Sequence, residues 1–250
     1  MFLQLSAWPE VEAYLHKSRA CLIPIGSTEQ HGPNGFIGTD ALCPEILARG
    51  IEQETGCLVA PTLSIGMAQH HLGFAGSITL RPSTLIAVVQ DVVNSLARHG
   101  FERFYFLNGH GGNVASVTAA FSEIYAESSL GTAGSNRPSL RCKLRNWWEA
   151  PSVAGISRKH FGASEGSHAT CSEVSLTWYG YPEHRKEGVA MTPEIAPNGP
   201  IYDAEDYRRR FPDGRIGSNP ALASVAAGKE LFEAAVPELA KDFRQFADAA

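Results

Sequence analysis

Four short apolar runs, separated by longer amphipathic stretches, constrain the fold of this chain more than any other feature. The runs lie at 20–26, 57–63, 101–107 and 140–147. The stretches 41–54, 83–98 and 114–127 are predicted to be helices, and the 3.6-residue periodicity is clearest in 83–98, which stops at Gly100. Strands that alternate with crossover helices form a parallel sheet, so the pattern predicts an α/β fold.

The rest of the chain has weaker signals. Residues 131–138 are predicted to be a loop, and residues 182–220, rich in proline, glycine and charge, an irregular excursion or a subunit contact. The tail from Ala221 onwards is predicted to be helical.

Polar segments follow three of the apolar runs. The first, PIGSTEQHGPNGFIGTD at 24–40, carries Glu29, His31 and Asp40. The second, NGHGGN at 108–113, carries His110, and the third, EGSH at 165–168, has Glu173 shortly beyond it. Right-handed crossovers bring the carboxyl ends of parallel strands to one edge of the sheet, where ligand sites of such sheets lie. Because carboxylates and imidazoles bind divalent metals, we expect one metal site at this edge.

Length and composition limit the functional classes. With 250 residues and 44% hydrophobic residues, the chain is expected to form a single domain over 1–250. A net charge of -5 without a lysine or arginine cluster argues against nucleic acid or an anionic membrane as partner, and favours a small molecule or a peptide.

The cysteines and the N-terminal sequence indicate a location. Five cysteines without a CxxC pair indicate free thiols in a reducing compartment. The N-terminus lacks the features of a signal peptide, and no apolar run approaches the roughly 18 to 20 residues of a membrane span. We therefore expect a cytoplasmic protein.

Each polar segment also has a purely structural interpretation. Asp40 could cap a helix while Glu29 and His31 remain solvated, although the five surrounding glycines and prolines favour a positioned site. The segment 109–113 could cradle a phosphate, but it lacks the lysine and the spacing of the known phosphate loops. His168 and Glu173 could be a helix cap and a surface residue, and they reach one pocket only if the turn at His168 is not yet helical.

The motifs EQHGP, GTD, NGHGGN and SHATCSE, in this order between about Pro24 and Trp178, resemble the creatininase (creatinine amidohydrolase) family. The resemblance implies a three-layer α/β/α fold with a mainly parallel sheet, commonly assembled as a homohexamer. It also implies a two-metal site that hydrolyses a non-peptide or cyclic C–N bond with a metal-activated hydroxide. The metal could be zinc, manganese or iron(II), with zinc preferred.

The resemblance further implies roles for individual residues. Four residues match the family's metal-binding positions, with the aspartate as the bridge: Glu29, His31, Asp40 and His110. His168 matches a catalytic histidine. Glu173 is the best replacement for a carboxylate that the chain otherwise lacks, as ligand or as acid and base, and Glu165 is a less favoured candidate for the same proton transfer.

Two departures from the family pattern affect the expected substrate. Gly112 stands where the creatinine-hydrolysing branch has a catalytic glutamate, and Ser164 where that branch has a tryptophan that closes over creatinine. Gly111 and Gly112 are expected to line the metal pocket, Trp148 to form its wall, and one residue of the pair His70–His71 to face it, with His71 assigned to the substrate.

These assignments predict a hydrolase of a small amide, formamide or cyclic amide for which creatinine itself is a poor substrate. A metallopeptidase that trims a short precursor peptide and creatinine hydrolysis remain alternatives. A non-catalytic ligand-binding module is disfavoured, because every metal ligand that is missing has a nearby substitute.

Overall fold

The structure is a computed structural model that describes residues 1–131 and 139–249. The predicted loop at 131–138 lies outside these residues except for Gly131. Strands and helices alternate along the described chain. The strands are β1 (Ala20–Ile25), β2 (Leu58–Val59), β3 (Arg103–Asn108) and β4 (Arg141–Asn146). The helices are α1 (Trp8–Leu15), α2 (Thr39–Thr55), α3 (Pro82–Arg98), α4 (Asn113–Ser129), α5 (Pro151–His160), α6 (Cys171–Gly180), α7 (Ala204–Arg210) and α8 (Val225–Asp248).

The four strands form one parallel sheet in the order β2-β1-β3-β4. The central pair β1 and β3 is in register from Ala20 opposite Arg103 to Ile25 opposite Asn108. Side chains of β1 alternate between the two faces of the sheet, and all six residues are buried. This explains why β1 appears as a continuous apolar run rather than as an alternating pattern.

Helices cover both faces of the sheet. On one face, α2, α6 and α8 pack against Leu22 and Tyr105, with Leu47 and Leu239 in the core. On the other face, α3 and α4 pack against Ile23 and other strand residues to form a second buried apolar cluster. Burying each large apolar side chain contributes about 1.5–3 kcal/mol, so the two clusters hold the layers together. The predicted three-layer α/β/α architecture is confirmed.

The structure departs from the expected elements at three places. The predicted strand 57–63 is regular only at Leu58–Val59, because one extra residue around Pro61 interrupts the ladder: the donors to β1 are Ala60 and Leu63, three residues apart rather than two. The final helix begins at Val225 rather than Ala221, with the hydroxyl of Ser224 accepting from Ala227 N–H at 3.1 Å. The segment 182–220 is not wholly irregular, since it contains α7 and returns to the sheet edge at Ile216. None of the described helices combines the length and apolarity that a membrane span needs.

Candidate metal centre

Strands β1, β3 and β4 end level with one another at one edge of the sheet, where the first two polar segments begin. Ile25 of β1 lies opposite Asn108 of β3, which lies opposite Asn146 of β4. The loops that follow these residues therefore start side by side. The convergence predicted for the first two polar segments is therefore found, but the third, at 165–168, does not follow β4 directly, because α5 lies between them.

Two glycines bring the start of α2 against this edge. A Cβ on Gly26 would lie 2.0 Å from the main-chain oxygen of Asp40, and a Cβ on Gly109 would lie 1.9 Å from the same atom. No other residue type fits at either position. Asp40 is in the first turn of α2, which begins at Thr39 after Gly38, so it does not cap the helix. Its carboxylate is free to face the loops that follow β1 and β3.

Two asparagines hold the loop of His110. Asn108 accepts from His110 N–H at 3.1 Å and donates to His110 O at 2.7 Å. Asn113 donates to Gly26 O at 2.9 Å and accepts from Met67 N–H at 3.0 Å. The motif residues thus tie the loop after β3 to the loop after β1, and the imidazole between them is rigidly placed.

His168 and Glu173 flank the start of α6. His168 lies before the helix and forms an isolated β-bridge with Ile216. The next residue, Ala169, has a φ of 51°, a left-handed conformation that costs roughly 1–2 kcal/mol for a residue with a Cβ. Glu173 closes a capping box, in which its carboxylate accepts from Thr170 N–H. Glu173 is therefore not a surface residue, because its carboxylate caps α6 and also lies 3.7 Å from Nε2 of His31.

The buried carboxylates and imidazoles form overlapping groups whose ligand atoms lie within 4.8 Å of one another. The groups are Glu29 with Asp40 and His110, His31 with Asp40 and Glu173, and Glu29 with His31 and His168. Asp40 belongs to the first two groups. One carboxylate oxygen lies 2.9 Å from His31 Nε2 and the other lies 2.8 Å from His110 Nδ1. Asp40 therefore occupies the place of a bridge between two adjacent sites.

The side chains fit divalent cations. Glu29 is 0% exposed, and neither of its carboxylate oxygens accepts a hydrogen bond from any described residue. Nitrogens of His71 and His110 lie 3.0 and 3.3 Å from these oxygens. A buried carboxylate without donors is costly unless a cation balances it. Mixed imidazole and carboxylate ligands suit zinc, manganese or iron(II).

The pKa values of the cluster show that its buried carboxylates favour a positive charge beside them. Burial lowers the pKa of His31, but Asp40 and Glu173 outweigh it and raise this pKa to about 10. For His110 as well, burial is outweighed by Glu29 and Asp40, and the pKa is raised to about 9. Burial raises the pKa of Asp40, but the two imidazoles dominate and hold it well below its usual range. Burial raises the pKa of Glu173 to about 8, although His31 opposes the shift.

Two further histidines of the site have pKa values that are lowered rather than raised. Burial and the neighbouring imidazoles lower the pKa of His168 well below its usual value. Burial, with His70 beside it, likewise lowers the pKa of His71. Both rings are therefore neutral, and each offers one N–H and one lone pair.

A cleft of about 530 Å³ opens onto the cluster. The predicted site residues that line it are Asp40, His110, Gly111, Trp148, Glu165, His168 and Glu173. Arg158, Ser157 and Thr170 also line it, and the sequence analysis did not single them out. Trp147 is buried and forms the base of one wall, whereas Trp148 is partly exposed.

Several predicted residues lie elsewhere than expected. Gly112 does not line the cleft, and a Cβ there would lie 2.4 Å from His110 Nε2, so this loop conformation has no room for a side chain. Ser164 is in a short turn outside the lining. Glu165 faces the start of α6, where its carboxylate accepts from the N–H and the hydroxyl of Ser172.

The histidine pair also differs from expectation. His70 and His71 are both buried, so neither is solvated. His71 does not line the cleft. It lies behind Glu29, with Nδ1 2.9 Å from the side-chain nitrogen of Gln30. Gln30 was missed because its position between two candidate ligands gives no signal of its own. The only indication in the sequence is that it lies inside the EQHGP motif.

Comparisons with known proteins agree with this geometry. A family model described as creatininase, creatinine amidohydrolase, matches residues 4–243. The 3-dehydro-scyllo-inosose hydrolase of Thermotoga maritima is 26% identical over 96% of this chain and 82% of its own length. The mycofactocin precursor peptide peptidase of Mycobacterium ulcerans is 32% identical, over about half of each chain, 52% and 53%.

A solved structure of creatininase with Mn superposes with a TM-score of 0.83 at 25% identity, covering 99% of this chain and 98% of that one. The fold, the order of the motifs and a family match across almost the whole length all agree. The chain belongs to the creatininase family.

Proposed function

We propose that this protein is a two-metal hydrolase that cleaves the C–N bond of a small amide other than a peptide. One observation carries the proposal. Two groups of buried ligands share the carboxylate of Asp40 and lie at the base of a cleft that His168 also lines.

Each residue of the cluster has a proposed role. Glu29 and His110 would hold one cation, His31 and Glu173 would hold the other, and Asp40 would contribute to both sites. When bound, two divalent cations in such a site lower the pKa of water toward about 7 and polarise a carbonyl. His168 is the proton carrier. Its Nδ1 lies on the side of Glu29, where it can take a proton from the attacking water and pass it to the leaving nitrogen.

The cleft walls favour a substrate larger than creatinine and bearing a negative charge. Arg158 is the one lysine or arginine among the lining residues, and no described residue pairs with it. Its neighbours in α5 are different, since Lys159 and His160 both pair with Glu230, at 2.8 and 2.6 Å. Arg158 is therefore available to bind a carboxylate at the end of the substrate remote from the reacting bond. The glycine at 112, which offers no carboxylate, supports the expectation that creatinine is a poor substrate.

Trimming of a short peptide is the second candidate. It is favoured by the 32% identity to a peptidase over 144 residues, a stretch about as long as the one that contains the site. A peptide with a free C-terminal carboxylate could use the same arginine.

We further propose that the protein is a single domain, that it acts in the cytoplasm and that it assembles as a homohexamer. Its five free cysteines support the location. Light scattering during gel filtration tests the assembly, and a monomer would contradict it.

The function is tested by metal analysis and a substrate panel. The purified protein is expected to hold about two divalent transition-metal ions per chain, and chelation is expected to abolish hydrolysis until metal is restored. The panel contains creatinine, 3-dehydro-scyllo-inosose, a mycofactocin precursor peptide, and N-formyl and simple amides with and without a carboxylate. Active protein without stoichiometric metal would overturn the proposal, and so would hydrolysis of the peptide or the inosose alone.

A further inference from the structure

Gln30 lies between two of the candidate ligands and is 6% exposed. Its side-chain amide is held at both ends. Oε1 accepts from Gly32 N–H at 2.8 Å, and Nε2 donates to Gly214 O at 2.8 Å. Because one neighbour is a donor and the other an acceptor, these contacts determine which end of the amide is nitrogen.

The backbone conformation of Gly214, and its lack of a side chain, allow this contact. Its φ is +87°, and a Cβ would lie 1.8 Å from Oε1 of Gln30. The hydroxyl of Tyr207 donates to the same Gly214 oxygen at 2.8 Å. The segment that follows α7 therefore packs its backbone directly onto the amide and fixes it in place.

The position of the amide determines the tautomer of His71. Nδ1 of His71 lies 2.9 Å from Nε2 of Gln30, a group that can only donate. Nδ1 must therefore be the acceptor, which leaves the ring proton on Nε2. That N–H lies 3.0 Å from Oε1 of Glu29.

The same residue determines the tautomer of His168. Nε2 of Gln30 has two N–H groups and lies within 2.9 Å of Gly214 O, Nδ1 of His71 and Nε2 of His168, so it cannot donate to all three. We assign the two donations to Gly214 and His71, because Nε2 of His168 has a second partner to which it can donate. Nε2 of His168 also lies 2.9 Å from the main-chain oxygen of Gln30, to which it can donate. Nδ1 then keeps its lone pair, and it lies 3.7 Å from Oε1 of Glu29.

We propose that Gln30 is a positioning residue that sets both tautomers at once. Through its side chain it leaves the ring proton of His71 on Nε2, the nitrogen 3.0 Å from Glu29 Oε1, and through its main-chain carbonyl it makes His168 present Nδ1 to the reacting centre. The effect of Gln30 on catalysis rests on the proposed function, whereas the assignment of the protons on His71 and His168 is independent of it.

The proton positions can be observed directly. Neutron diffraction from perdeuterated crystals of the metal-loaded protein is expected to show a deuteron on Nε2 of both His71 and His168, and none on Nδ1 of either ring. A deuteron on either Nδ1 would overturn the proposal, whatever the enzyme hydrolyses.

Kinetics test the catalytic consequence. Gln30→Met is expected to keep about two metal ions per chain and to lower kcat about 10- to 100-fold, the usual effect of losing a residue that orients an active group. KM is expected to stay within about threefold. Gln30→Glu, which keeps the shape and removes the donors, serves as the second variant. Gln69→Met is the matched control, because it removes the same kind of side-chain amide, which here donates to Tyr202 O at 3.0 Å, and it is expected to change kcat less than threefold.

A double-mutant cycle separates positioning from a general structural effect. Gln30→Met leaves the main-chain carbonyl in place, so its effect is expected to pass through His71, and it is expected to have little further effect in a His71→Ala background. Equal losses in both backgrounds would overturn the catalytic part of the proposal. Complete inactivity of the wild type toward the whole panel would reject the proposed function and leave the neutron result standing.

Discussion

Replacing Glu29 by glutamine tests whether its carboxylate holds a cation. The side chain is 0% exposed, its oxygens accept no hydrogen bond from the described residues, and an amide of the same shape fits the site. Glu29→Gln removes one negative charge and one anionic ligand while leaving the surrounding packing unchanged. Its effect on stability is therefore expected to depend on whether metal is bound.

The magnitude follows from linkage. A cation present at 100 times its Kd stabilises the folded protein by about 2.7 kcal/mol. If the amide weakens binding 100-fold, the remaining stabilisation at the same concentration is about 0.4 kcal/mol, so about 2.3 kcal/mol is lost. For a chain of this length each kcal/mol shifts Tm by about 2–4 °C, and the loss corresponds to about 5–9 °C.

In the chelated protein two effects of Glu29→Gln oppose each other. The variant loses the charge contact with His110 and changes the contact with the neutral His71, but it also removes an incompletely compensated buried carboxylate. We expect a net change within about 1 kcal/mol, or about 2–4 °C.

Differential scanning calorimetry with zinc and with chelator measures both values. Glu165→Gln is the matched control, because this carboxylate lines the same cleft but is hydrogen-bonded by Ser172 and belongs to none of the ligand groups. Its change in Tm is expected to be the same in both conditions. An equal change for Glu29→Gln with and without metal would refute the assignment of Glu29 as a ligand.

Four other expectations are open to direct measurement. Asp40→Ala is expected to lose both metal ions and all activity together. His168→Ala is expected to keep both metal ions and to lower kcat about 10²- to 10⁴-fold. Loss of a metal ion from His168→Ala would show that His168 is a ligand. Arg158→Ala is expected to raise KM about three- to tenfold for a carboxylate-bearing amide but not for its neutral analogue. Lys159→Ala is the control and is expected to leave KM unchanged for both substrates. Equal effects of Arg158→Ala on the two substrates would reject the anion-binding role. Creatinine is expected to give a kcat/KM below about 10⁴ M⁻¹s⁻¹, and a higher value would restore it as the substrate. Burial raises the pKa of Asp242, but hydrogen bonds from a lysine and a tyrosine outweigh it and lower this pKa. Asp242→Asn is therefore expected to destabilise the protein by about 1 kcal/mol above the unfolded pKa of about 3.9. The difference is expected to decline below that pH and to disappear once the pH has passed the lowered pKa of the folded state, and a difference that does not change with falling pH would exclude this cause.

Local chemistry made the layers and the principal ligands predictable from sequence. Apolar runs that alternate with amphipathic stretches allow few arrangements other than a covered parallel sheet, because both faces of each strand must be buried. Once the strands are parallel, the segments after β1 and β3 must share an edge. Glu29, Asp40 and His110 could therefore be grouped without knowing any distance between them.

Contacts between distant segments were decided only by the tertiary structure. The shortening of the second strand is visible at Pro61 in hindsight, but the return of residues 211–218 onto Gln30 is not encoded by any local pattern. Hydrogen bonds such as that between Gln30 and Gly214 join residues 184 positions apart, and their energies depend on a geometry that only packing creates. The sequence by itself determined which side chains can bind metal, because that is a property of residue type and of position after a strand. Which nitrogen of His168 faces the reacting centre was determined by the fold, because a proton's place on an imidazole depends on the neighbours that surround it.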